Sequence, residues 1–397
     1  MFRQLVSHNA DLGRLVEKGY AVAFDTNCLI VRDVPYLDGD GALQCGAIVA
    51  KLVFVDRESV RQDDHQILFA GGVPYGLDGK PIPNLGGGEV RFPLSPACAD
   101  VVVQRSFSNK PRDTGAFPDF FAKVESYVHI ISGPAMARYA VSPLTYRADQ
   151  TVVSDSVFKF HDTMTSRAGI VDLSSRFADD VVALIGLGGT GSYLLDFIVK
   201  TPVKEIRGFD HDGYYVHNAF RSPGRLEEAE LGRSKAEVYQ GRYETFRCGL
   251  SIKQKFIDAS CSEELDGVTF AFVCVDKGSA RAGIVDLLLS RGIPFIDVGM
   301  GLKRKPDGLN GMIRVTYFSP DGGAALREAG LVELVDRPDD LYHDNIQISE
   351  LNALNASLAV LRFKQIRGFY SDARKFDHFI LDVGDVAIRG LPDDDAV

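Results

Sequence analysis

At 397 residues and 45% hydrophobic side chains, the chain has room for about two or three domains and enough apolar content for a real core. Its formal net charge of −10 argues against nonspecific nucleic-acid binding, and no window reaches the apolar length that a membrane helix needs. Six scattered cysteines without framework spacing imply reduced thiols, and Met1-Phe-Arg-Gln-Leu-Val-Ser-His8 lacks the marks of a signal peptide, so a cytoplasmic protein is expected.

Residues 4–20 read as a helix, followed by short strands rich in Val, Ile and Phe at Tyr20–Phe24, Leu29–Val34, Ala47–Val55 and Gln66–Phe69. Turns at Asp38-Gly39-Asp40-Gly41 and Asp78-Gly79-Lys80-Pro81 separate or follow them. The Gly- and Pro-rich segment Pro83–Pro96 reads as a loop, and the helix at Phe117–Ser132 as one broken by Gly133-Pro134. Residues 1–150 are therefore expected to form a smaller α+β domain, and residues 151–397 a second one. His65 reads as a structural residue beside a turn, with capture of a partner's tail as its functional alternative. His129, on an apolar helix, reads as a core residue. No His, Glu and Cys cluster has metal-ligand spacing.

The most informative segment is Val181-Val-Ala-Leu-Ile-Gly-Leu-Gly-Gly-Thr-Gly-Ser192, a buried strand that runs into Gly186, Gly188, Gly189 and Gly191 before a helix. Glycines let the backbone bend and approach phosphate, and the helix N-terminus attracts the anion. The pattern alone fits NAD, FAD and ATP proteins alike. About twenty residues on, Asp210 and Asp212 end a second strand at the distance of a ribose-binding acid. Asn218, Arg221 and Lys235 follow, and Phe270–Lys277 is another buried strand, ending in Asp276. Hydride transfer has no use for this set. Adenylyl transfer does, because Arg and Lys neutralise a triphosphate and the departing pyrophosphate, while a strand-end carboxylate holds Mg²⁺.

In these motifs the chain resembles the ThiF/MoeB and ubiquitin-activating adenylyltransferases over roughly residues 160–370. The resemblance implies a Rossmann-like α/β fold, with a mostly parallel sheet and helices on both faces. It implies that the turn from Gly186 to Gly191 holds ATP phosphates, that Asp210 binds the ribose, and that Asn218, Arg221 and Lys235 contact the phosphates and transition state. Asp276 would act through Mg²⁺. A partner subunit's arginine just ahead of the first strand would complete the site, with Arg167 as the candidate and Arg176 as the alternative. The implied reaction joins AMP to the C-terminal glycine of a ubiquitin-like protein, releasing pyrophosphate, in a homodimer served by a conjugating-enzyme-like partner. Arg32-Asp-Val-Pro-Tyr36 and Asp64–Pro74 resemble the domain that precedes this core in some bacterial ubiquitin-like modification systems.

Two departures matter. No Cys-x-x-Cys pair exists, so no zinc is expected. Nor does the stretch Val315–Ala324, where thioester-forming relatives usually carry a cysteine, contain one. The enzyme could therefore stop at the adenylate, use Cys248, Cys261 or an N-terminal cysteine, or use a hydroxyl of Ser319 or Thr316. Cys274, in an apolar run, reads as a small packing residue. The strand Gly292–Gly301 ends in glycines where the adenylate or tail could lie, Lys303-Arg-Lys305 reads as a solvated tip, and Asn345–Lys364 as a helix apolar almost all round. A nucleotide-binding scaffold or sensor without turnover is the alternative from another class, and a NAD- or FAD-dependent oxidoreductase the third.

Overall fold

The computed structural model describes residues 2–392 apart from 26, 57, 96–97, 112, 149–155, 161, 163, 166–167, 169, 337–345 and 373–375. The chain divides into two compact units, Met1–Ile170 and Val171–Val397.

The first unit is built on an antiparallel sheet. Its strands are β1 (Ala21–Asp25), β2 (Cys28–Leu37), β3 (Leu43–Phe54), β4 (Val60–Gln62), β5 (Ile67–Ala70), β6 (Gly88–Pro93) and β7 (Val102–Phe107). They lie in the order β1-β2-β3-β5-β7-β6, with β4 pairing off β3. Alternation along β3 sends Ile48, Ala50 and Leu52 to one face and Ala47 and Val49 to the other. The first face packs against the helices α1 (Phe2–His8), α2 (Ala10–Lys18) and α3 (Phe120–Arg138), through Leu5, Leu12, Leu15, Val124 and Ile131.

Three expectations are corrected in this unit. The single helix over 4–20 is two, parted at Asn9, whose side chain ties the junction to its surroundings by donating to Leu5 O at 2.8 Å and Glu58 O at 2.7 Å and accepting from Val60 N at 2.9 Å. β6 lies inside the segment expected to be a loop, since pairing with β7 satisfies its backbone despite the flanking Gly and Pro. Gly133-Pro134 does not break α3: the proline costs one hydrogen bond a turn before the helix end, and burial of Ile131 and Ala135 carries the helix through to Arg138.

The second unit is a doubly wound α/β layer. Its strands β8 (Val181–Ile185), β9 (Glu205–Asp210), β10 (Leu250–Gln254), β11 (Phe270–Val273), β12 (Phe295–Lys305), β13 (Gly308–Phe318), β14 (Phe376–Asp382) and β15 (Ala387–Pro392) lie in the order β10-β9-β8-β11-β12-β13-β14-β15. The pairs from β10 to β12 are parallel, and those from β12 to β15 antiparallel. Val182 and Leu184 face one side of β8, with α4 (Gly189–Ile198) and α7 (Ser349–Ile366). Ala183 and Ile185 face the other, with α6 (Gly278–Ser290). Helices thus cover both faces, as expected, and α5 (Lys235–Tyr243) adds Val238 and Tyr239 to the first. The final hairpin, β14 and β15, had no counterpart in the sequence reading, and α7 starts four residues later than expected, Asn345 itself lying outside the described residues.

The order reverses between β8 and β11: the chain steps outward through β9 and β10, then crosses back to the other side of β8. Loops diverge at such a point and leave a crevice outside the carboxyl ends of the strands, where open α/β sheets hold ligands. Among the described residues no helix is long and apolar enough to cross a membrane.

Candidate functional site

β8 ends at Ile185, and the chain turns at Gly186, whose φ of +92° lies in the left-handed region. A Cβ there would also stand 2.7 Å from Cys274 O, so a side chain is excluded twice over. Gly191 lets α4 lie on the turn, since a Cβ would come 2.0 Å from Gly186 O. Gly188, at the N-cap of α4, differs: a Cβ there would meet nothing within 4 Å. Open backbone at the N-terminus of a ten-residue helix is an anion-binding arrangement. Gly189, in contrast, is roofed by the Asn352 and Gln347 side chains.

Asp210, at the end of β9, is buried and ties the turn to its own loop: Oδ2 accepts from Leu187 N at 2.7 Å and Oδ1 from Asp212 N at 2.9 Å. Lys235, the first residue of α5, is 4% exposed; its Nζ lies 3.4 Å from Asp210 Oδ1 and 2.8 Å from Asp212 Oδ2. The Ser234 hydroxyl caps this helix by accepting from Glu237 N, fixing where the lysine emerges. Burial alone would raise the Asp212 carboxyl, but the hydrogen bond and charge of Lys235, with His211 and Lys277, outweigh it and hold the group below the usual range. Asp210, His211 and Asp212 lie within cation-holding distance of one another, but Lys235 already supplies the positive charge there.

Asn218 is 4% exposed, and its Oδ1 accepts from Tyr215 N at 2.8 Å, capping the short helix Val216–Ala219. Its carbonyl then accepts from Arg221 N at 3.1 Å and Ser222 Oγ at 2.8 Å, so it shapes the loop that carries Arg221. The Arg221 Nε is buried and has no partner among the described residues. Burying a guanidinium N–H without an acceptor is costly, and an anion is the usual remedy.

The strand end Cys274–Val275 runs along Gly186, with Cys274 O and Val275 N at 2.7 and 3.3 Å from the position of a Cβ there, and Asp276 follows with its side chain exposed. Burial pushes the Cys274 thiol up, in keeping with a packing role. A buried network that sequence reasoning missed holds this loop from behind. Arg281 donates to Val275 O and to Glu333 O and pairs with Asp297 at 3.1 Å; the fully buried Asp297 also pairs with Arg314 at 2.5 Å. Arg314 donates to Thr316 Oγ1 at 2.7 Å, which in turn lies 2.9 Å from His378 Nδ1. The signal was an aspartate inside the apolar run Phe295-Ile-Asp-Val298.

The turn, Asp210, Asp212, Lys235 and the Asp276 loop thus gather at the carboxyl ends of β9, β8 and β11, and Asn352 links the Arg221 loop to them. Arg167 lies outside the described residues. Arg176 donates to Gly368 O, beyond the end of α7. Thr316 is fully buried in the network above, so it offers no free hydroxyl; the Ser319 hydroxyl accepts from Gly322 N at 2.9 Å. Cys45 and Cys248 are exposed and Cys261 is buried. In the first unit His65 Nε2 lies 2.9 Å from Ser108 Oγ. His129 is exposed rather than in the core, because α3 buries the face of Lys123, Val124, Tyr127, Val128 and Ile131.

Two sequence families match the chain: a domain of unknown function, DUF6791, over residues 10–163, and the ThiF family over residues 166–357. Ubiquitin-like modifier-activating enzyme 5 of Branchiostoma floridae is 27% identical over 147 residues, 34% of this chain and 36% of that one. The tRNA threonylcarbamoyladenosine dehydratase of Escherichia coli strain K12 is 24% identical over 127 residues, 31% of this chain and 47% of that one. The chain spans less than half the length of these curated relatives. The crystal structure of E. coli MccB with ATP is 14% identical and aligns over 58% of this chain and 69% of that one, with a TM-score of 0.43. The part of the chain that carries the glycine turn, residues 166–357, is a ThiF family domain, and a DUF6791 domain precedes it.

Proposed function

We propose that the second unit adenylylates the C-terminal glycine of a ubiquitin-like protein, consuming ATP and releasing pyrophosphate. The observation that carries the reading is the buried, unpartnered Arg221 Nε, on a residue whose main-chain carbonyl is tied through Asn352 to an open, helix-capping glycine turn. Members of the ThiF family are ATP-using adenylyltransferases, which supports the same chemistry.

In this reading the Gly186–Gly191 turn takes the phosphates, and Asp210 and Asp212 lie on the ribose side. Arg221 and Lys235 offset the charge that grows as pyrophosphate departs. The substrate carboxylate is ionised at neutral pH, so no general base is needed, and the protein's task is positioning and charge stabilisation. Asp276, an exposed carboxylate beside the turn, fits a hard cation, and Asp276 would hold Mg²⁺, which supplies charge neutralisation at the phosphates. The curated relatives name both a ubiquitin-like modifier and a tRNA nucleoside as the object of the chemistry. This reading takes the ubiquitin-like protein, the object named by the relative of slightly higher identity over slightly more residues, while the dehydratase is matched over more of its own length. A homodimer with Arg167 acting across it, a conjugating-enzyme-like partner and a cytoplasmic setting complete the proposal. Incubation with Mg-ATP and a carrier ending in glycine, followed by intact mass spectrometry, tests it: an adenylylated or enzyme-linked carrier is expected, and ATP binding without product from any carrier would favour a non-catalytic nucleotide sensor.

A further inference from the structure

The glycine turn and the Arg221 loop are joined by a side chain that belongs to neither. Asn352, in the first turn of α7, is 1% exposed. Its Oδ1 accepts from Thr190 Oγ1 at 3.0 Å, and its Nδ2 donates to Arg221 O at 3.2 Å. It sits so closely over the turn that a Cβ on Gly189 would fall 2.2 Å from Nδ2. The partners lie 162 and 131 residues away in the chain, so this amide is a bridge between two separate pieces of the site.

Packing does not require an amide here. The strip of α7 that continues from Asn352 is Ala356, Ala359 and Phe363, while the other buried polar side chains of the helix, Asn355 and Arg362, bond elsewhere, to Gly299 O and Asp372; a buried amide is costly unless its polar ends are used. Both ends of Asn352 are used, one on the first turn of α4 and one on the loop whose guanidinium has a buried, unmatched N–H. Resting on the adenylyltransferase reading above, we propose that Asn352 is a positioning residue: it sets Arg221 at the β,γ-phosphate end of the bound nucleotide, registering that loop against the phosphate turn. It acts through Arg221 and contacts no reacting atom itself.

The test compares ATP with AMP, which shares the adenosine and first phosphate but lacks the groups Arg221 would meet. Dissociation constants for both nucleotides are measured by equilibrium dialysis for the full chain and for Asn352→Leu, Arg221→Ala, the double variant and Thr190→Val. Asn352→Leu is expected to weaken ATP roughly tenfold while changing AMP by less than about twofold. The double variant should bind ATP no more weakly than Arg221→Ala alone, because the two residues form one coupled unit. Thr190→Val, a near-isosteric change that keeps the Arg221 contact, should weaken ATP about two- to threefold with AMP unchanged, and it carries the test if Asn352→Leu fails to fold. Equal weakening of ATP and AMP, additive losses in the double variant, or unchanged ATP binding would each overturn the proposal. A wild-type chain that binds no ATP would refute the nucleotide reading itself, a distinct result.

Discussion

Each unit buries a lysine, and the two are handled in opposite ways. Lys123, on α3, is 1% exposed and gives its Nζ to Asp64 O at 2.8 Å; burial pushes its ammonium down to about 8, with the charges of Asp64 and Asp63 offsetting only part of the effect. Lys235 is as deeply buried but stands between two carboxylates at the end of a strand, beside a backbone turn with open space over Gly188. The first is a long side chain filling a core, its head taken up by a carbonyl. The second is an ammonium paired with two carboxylates, next to a place where an anion fits. Burial of an ionisable group therefore does not mark a site; what sets Lys235 apart is its fixed charge partners beside open backbone, with the unmatched Arg221 Nε on a loop linked to the same turn.

The contrast breaks if activity follows the wrong lysine. The largest effects are expected at the phosphate end: Asp276→Ala and Arg221→Ala should each cut carrier-dependent pyrophosphate exchange about 10²- to 10³-fold with the circular dichroism spectrum intact. Full exchange in Asp276→Ala would remove that residue from the Mg²⁺ role. Lys235→Ala should lose both activity and roughly 3 kcal/mol of stability in urea titrations, because the buried Asp210 carboxylate is left without its cation. Lys123→Met, by comparison, should leave exchange at the wild-type rate.

A subtler effect concerns the second subunit. Mixing inactive Arg167→Ala with inactive Asp276→Ala protein should restore part of the exchange rate, since one composite site regains both residues. No recovery, with heterodimers confirmed by native mass spectrometry, would end the trans role of Arg167.

The smallest effect is a pH dependence confined to the first unit. The folded Lys123 titrates near 8 against 10.5 for the unfolded group, so between these values the unfolded chain binds more protons. Stability from this residue is complete above the unfolded value and declines as pH falls through the window. Wild type should thus gain stability relative to Lys123→Met between pH 8 and 10, measured by urea unfolding at each pH. A flat difference would mean that the ammonium is not depressed.

What was legible in the sequence was local. Val181–Ile185 and the glycines after it sit in one continuous run, and the buried strand, the positive φ of Gly186 and the helix start all follow from nearest neighbours. Asp210 and Lys235 were legible because strand ends and helix starts have their own signals. In the sequence Asn352 is no more than one polar residue in an apolar helix, since its meaning lies in contacts 131 and 162 residues away. The Asp297 network was hidden for the same reason: Arg281, Arg314 and Asp297 come from three elements that meet only when the sheet forms. His129 misled because the helix around it is apolar on nearly every side, and only the position of the sheet decides which face is covered.

A chain that joins AMP to a carrier's C-terminal carboxylate must change the mass of that carrier, which intact mass spectrometry of a glycine-ended ubiquitin-like protein reads after incubation with the chain and Mg-ATP. A carrier bearing AMP, or a carrier linked to the enzyme that hydroxylamine releases, is expected, and it should be lost in Asp276→Ala. An unmodified carrier in every case, from protein that demonstrably binds ATP, would contradict the proposed adenylylation.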